Sequence, residues 1–175
     1  MNKRDFLKSS VLALTPAALF IPSSPHPLFT SSPLHFLTSS HLSLQERPVP
    51  LAPDLVKEFV IAGHGNIQKV KDMLAQTPGL LNAVWDWGGG DFESAIEGAG
   101  HVGNREVAEY LLSQGARSNI FQAAMLGKVD IVKSTLSSFP NLKTSKGPHG
   151  LMLMHHATKG GSKEMIEYLK EIGAS

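Results

Sequence analysis

Gly103-Asn104-Arg105-Glu106-Val107-Ala108-Glu109-Tyr110-Leu111-Leu112 is the stretch that decides the fold. Glycine supplies a turn and asparagine a helix N-cap. The residues that follow place apolar side chains in adjacent pairs, Val107-Ala108 and Leu111-Leu112, one helical turn apart. That spacing predicts a short amphipathic helix with one buried stripe. The design returns at Gly65 (GNIQKVKDML), Gly127 (GKVDIVKSTL) and Gly161 (GSKEMIEYLK). Four copies of one helix are an internal repeat.

The first copy shows what precedes each of these helices. Leu55, Val56, Phe59 and Val60 fall on one helical face, Asp54 is the expected N-cap, and Gly63-His64-Gly65 ends the segment. A helix pair of about 20 residues cannot cover its own apolar stripe and must stack on a neighbour. The marker glycines are spaced 38 (Gly65 to Gly103), 24 (Gly103 to Gly127) and 34 residues (Gly127 to Gly161).

The residues around the markers resemble the ankyrin-repeat pattern T-P-L-H-x-A-A-x-x-G-H-x-E-I-V-x-x-L-L, which ends in Gly-Ala. Met154, His155 and Ala157 stand where that pattern has Leu, His and Ala. Gly115-Ala116 and Gly173-Ala174 fall at the Gly-Ala position, and Thr77-Pro78 and Phe139-Pro140 take its place in the other copies. The resemblance covers Asp54 to Ser175. It implies an all-α fold, a short ankyrin-type solenoid of about four degenerate helix-pair repeats. The two outer intervals fit a repeat of about 33 residues and the middle one is about ten short, so the usual extended finger between repeats two and three is missing. The finger before repeat two, Ala83 to Glu93, is long and holds both tryptophans. With the later Gly147-Pro148-His149-Gly150 it is similar to a group of uncharacterised bacterial ankyrin-like proteins, a resemblance that implies no particular activity.

The N-terminal third reads differently. Met1 to Lys8 is basic, and an apolar run from Val11 to Ile21 follows, too short to span a membrane. Lys3-Arg4-Asp5-Phe6-Leu7-Lys8 resembles the twin-arginine export motif, with Lys3 at the first Arg position. Residues 1–24 are therefore expected to be a signal peptide, using the twin-arginine or the general secretory route. Residues 25–53 are expected to be a disordered Ser/Pro/His linker: seven prolines lie between Pro22 and Pro53, and no charged residue lies between Ser9 and Gln45. His26, His35 and His41 lack metal-ligand spacing. Residues 54–175 form the repeat domain. The expected location is the periplasm or the cell exterior, with no stable membrane span in the mature chain.

From Asp54 onward 12 Lys/Arg face 13 Asp/Glu, which argues against nucleic acid. Cysteine is absent, excluding disulfides and thiolate sites. No nucleophile motif, metalloprotease helix or phosphate loop is present, so no catalytic residue, cofactor or metal ligand is assigned. The expected role is a non-catalytic, monomeric module whose concave surface binds a protein or peptide through Trp85, Asp86, Trp87, Asp91, Glu93 and His149. Tryptophan is the strongest anchor at interfaces, and a glycine run admits close backbone approach; the competing expectation is that Trp85 and Trp87 pack over the core edge. The alternative role is a small-molecule or metal-binding accessory protein using His149, Asp91, Glu93 and His101. His155 is expected to be structural, linking the start of its own helix.

Overall fold

The computed structural model describes residues 47–174; the expected signal peptide and most of the linker lie outside them. The described residues are mostly helical, with eight helices in four consecutive pairs: α1 (Pro53–Gly63) and α2 (Ile67–Gln76), α3 (Ala95–Val102) and α4 (Arg105–Ser113), α5 (Ile120–Met125) and α6 (Val129–Ser138), α7 (Leu153–Gly160) and α8 (Lys163–Glu171). The first helices form a row in which α1 touches α3, α3 touches α5 and α5 touches α7. The second helices meet as α2 with α4 and α6 with α8. Among the described residues no helix is long and apolar enough to cross a membrane.

Local chemistry sets the helix starts. Asn66 and Asn104 each accept a backbone N–H three residues on, and Ser162 does the same for α8. Asp54 does not cap α1. Pro53 already lies in its first turn, where a fixed φ and a missing N–H cost nothing, so Ala52 becomes the cap and Asp54 moves inside the helix. Gly103, Gly127 and Gly161 are left-handed, with φ of 83°, 71° and 71°. Gly65 is not, because the chain leaves α1 through a right-handed His64 (φ −69°). Three of the four markers are thus conformationally equivalent.

The described residues are largely all-α, as expected, with one small sheet besides. The long finger closes into an antiparallel hairpin, β1 (Val84–Asp86) with β2 (Phe92–Ser94), Trp85 pairing with Glu93. Asp86 Oδ1 accepts from the N–H groups of Gly88 and Gly90 across a turn in which Gly88, Gly89 and Gly90 all have positive φ. Residues other than glycine rarely adopt that conformation.

The buried apolar residues form two clusters. One joins the first two helix pairs and takes in Met125 and Leu126; the other joins the last two pairs. His156 is fully buried with its ring against Phe121 of the second, its Nδ1 donating to the Met152 carbonyl at 3.0 Å and its Nε2 lacking a hydrogen-bond partner. His155 does not tie its own helix; its Nε2 donates to the His101 carbonyl at 2.9 Å and links α7 to α3.

Burial holds His156 below the ordinary imidazole value, more than its bond to Met152 raises it. As pH falls below about 6.5, the unfolded chain takes up a proton that the folded one resists, so stability declines from there. His156→Gln keeps a donor and cannot charge. It is expected to flatten the acid limb of a stability-against-pH curve by up to about 1.4 kcal/mol per pH unit, read by urea melts between pH 7.5 and 5.

Candidate metal centre

The two long fingers meet. The connection from α4 to α5 is short, so no finger stands between the hairpin of the second layer and the loop of the fourth. The backbone N–H of His149 reaches Asp91 Oδ1 at 2.8 Å, and His149 Nδ1 reaches Asp91 Oδ2 at 2.8 Å. His149 is the one non-glycine residue with positive φ (59°) among the described residues. That conformation costs on the order of 1 kcal/mol. The double clamp from Asp91, the buried Pro148 before it, and Gly147 against the Phe121 ring hold it there.

Strand alternation sends Glu93 inward. Its side chain is completely buried, and the Trp87 indole N–H donates to Oε2 at 2.8 Å. Three imidazoles surround the same carboxylate. His64 follows the last turn of α1, and its ring lies so close to Gly98 that a Cβ there would stand 2.8 Å from it. His101 is in the last turn of α3. The donor atoms of His64, Glu93, His101 and His149 all lie within 4.8 Å of one another.

Two of the three imidazoles turn an unprotonated nitrogen toward the cluster, and His101 Nε2 donates to that of His64. His64 Nδ1 lies 3.0 Å from the Val60 carbonyl, which can only accept, so Nδ1 carries the proton and Nε2 presents its lone pair. The Asp91 carboxylate fixes His149 in the same tautomer. This is the outer-shell arrangement that orients histidine ligands. His101 Nε2 stands 3.0 Å from His64 Nε2 and 2.9 Å from Glu93 Oε1. His149 Nε2 is 3.4 Å from that oxygen, and His64 Nε2 is 3.6 Å from Oε2. With metal–nitrogen bonds of about 2.0–2.1 Å, donors at the corners of a tetrahedron are about 3.3 Å apart. The His64–His101 spacing and the two spacings to Oε1 lie near that value, and the whole donor set lies within 4.8 Å.

Glu93 Oε1 faces this nitrogen cluster with no aligned hydrogen bond, although His101 is close: the His101 Nε2 direction is aimed at His64. A buried carboxylate oxygen with ion-pair contacts but no aligned hydrogen bond has room for a further partner, and an ion is one. Burial pushes the Glu93 carboxyl upward, but contact with His101, the Trp87 bond and nearby His64 together hold it below its usual value. The backbone bond from His149 does the same for Asp91. Both stay ionised at neutral pH.

The sequence-derived site residues separate into roles. Glu93 and His149 belong to the cluster of candidate donors, Asp91 orients His149, and Trp87 orients Glu93 while keeping part of its ring exposed. Asp86 serves the hairpin turn. Trp85 packs against the first apolar cluster with Lys57 over its ring. His64 was not among the expected residues. It precedes Gly65 by one position, as His101 precedes Gly103 by two, and these near-equivalent places in adjacent layers were the available signal. In comparison with known proteins, the chain matches no family model and no curated protein.

Proposed function

We propose that the chain is a metal-binding module on an ankyrin-type stack of helix pairs, holding one divalent transition ion through His64, Glu93, His101 and His149. The observation that carries this reading is Glu93 Oε1, buried without an aligned hydrogen bond and facing the His101 and His149 Nε2 atoms at 2.9 and 3.4 Å. Imidazole with a single carboxylate suits first-row transition ions, whereas calcium and magnesium seek oxygen. The geometry favours this role over the interaction surface expected from the finger residues, because Glu93 is inaccessible to a partner and both oxygens of Asp91 are engaged by His149. With the N-terminal segment read as an export signal, the ion would be bound outside the cytoplasm.

Isothermal titration of chelator-treated protein with Zn²⁺ is the direct test. One ion per chain is expected, with affinity reduced about 100-fold or more in His101→Ala. The absence of saturable binding in the wild type, or an unchanged isotherm in the variant, overturns the reading.

A further inference from the structure

Building on that reading, we infer that Trp87 determines which ions the centre accepts. By occupying Oε2 of Glu93 it keeps the carboxylate a one-oxygen ligand, so the site selects ions content with four donors, of the Zn²⁺ class, over Mn²⁺ and Ca²⁺. A carboxylate can bind an ion through one oxygen or two, and larger, harder ions use the second to reach six or more donors. Here the two oxygens have different surroundings. Oε1 lies among the imidazole nitrogens, whereas Oε2 accepts the indole N–H at 2.8 Å, with His64 Nε2 farther off at 3.6 Å. For Glu93 to turn both oxygens to an ion, Oε2 would have to swing off the line of the indole N–H or share its remaining lone pair with the ion, and straining a buried hydrogen bond is expensive.

Trp87 is itself well anchored. Its backbone N–H donates to the Asp91 carbonyl at 2.9 Å across the hairpin turn, and its ring is tilted against His149 with centroids 6.1 Å apart. The residue therefore touches the outer side of two ligands without supplying a donor of its own. It is a positioning residue whose effect is read in ion preference and coordination number.

The test uses Trp87→Phe, which removes the N–H and keeps an aromatic plane at a partly exposed position. Trp87→Leu is a second variant against failure of one ring to fit, and circular dichroism confirms that each is folded. In wild type loaded with Co²⁺, the visible bands should have the high intensity of a four-coordinate ion; in both variants they should weaken several-fold. Competition titrations should show Zn²⁺ affinity falling about tenfold or more while Mn²⁺ affinity is unchanged or rises, so that the Zn²⁺ to Mn²⁺ preference narrows. Wild-type band intensity and preference in both variants overturn the assignment to Trp87 while leaving the metal centre standing. Failure of the wild type to take up any ion removes the centre itself.

Discussion

Gly160→Ala is expected to destabilise the domain by about 3 kcal/mol or more, a large share of the roughly 5–15 kcal/mol available to a domain. Gly160 ends α7 where that helix lies on α5. A Cβ there would run into the Met125 carbonyl oxygen, 2.6 Å from its carbon and 2.9 Å from its Cα. These atoms are backbone on both sides, so no side chain can swing away. The helices would have to separate, opening the row on which all four pairs are stacked. Gly63 makes the same demand at the first junction, with Ala95 Cα at 2.7 Å from the added carbon. Gly65→Ala is the control: no described atom lies within 4 Å of its Cβ, and its φ is ordinary. Chemical denaturation should place that variant within about 0.5 kcal/mol of wild type or slightly above it. A Gly160→Ala protein as stable as the control would mean that α5 and α7 do not meet as described.

The second large effect concerns the ion. A ligand bound only by the folded state stabilises it by about 4 kcal/mol at a thousandfold excess over its Kd. For a domain of this size that raises Tm by about 10 °C or more, and a chelator should reverse it. Glu93→Gln separates a metal centre from a purely structural network. Without metal, one oxygen of the buried carboxylate has no aligned hydrogen bond. Glutamine could still accept from Trp87 while its amide donates to an imidazole nitrogen. The metal-free variant should therefore melt no lower than metal-free wild type at pH 8, yet gain nothing from Zn²⁺. If Glu93→Gln keeps the Zn²⁺ increment, or wild type shows none, Glu93 is not a ligand.

The architecture was largely legible from local rules, because each helix announces itself within ten residues: a Gly turn, an Asn or Ser cap, and apolar pairs at helical spacing. Where a second local rule competed, the reading slipped. Pro53 displaced Asp54 from the cap, and the glycine-turned finger paired into strands. The metal centre is legible only in part. His64, Glu93, His101 and His149 are separated by whole helices, so no spacing rule links them; stacking brings them together. Asp91, Glu93, His101 and His149 could be grouped as polar residues near one surface, whereas His64 sits in a turn and is marked only by its place before Gly65, near-equivalent to that of His101 before Gly103. Nor does the sequence show that an absent third finger lets the second and fourth meet.

The division of the apolar interior into two clusters, with α5 contributing to both, bears on how the native state is lost. Left alone, such a stack can fray from its final layer while its opening layers persist. His64, Glu93 and His101 belong to the opening layers and His149 to the loop that leads into the last one. One ion shared among them would make that fraying cost its own release, so the two halves would come apart together. The centre would then confer cooperativity as well as capture, visible as a narrower calorimetric transition in the loaded protein.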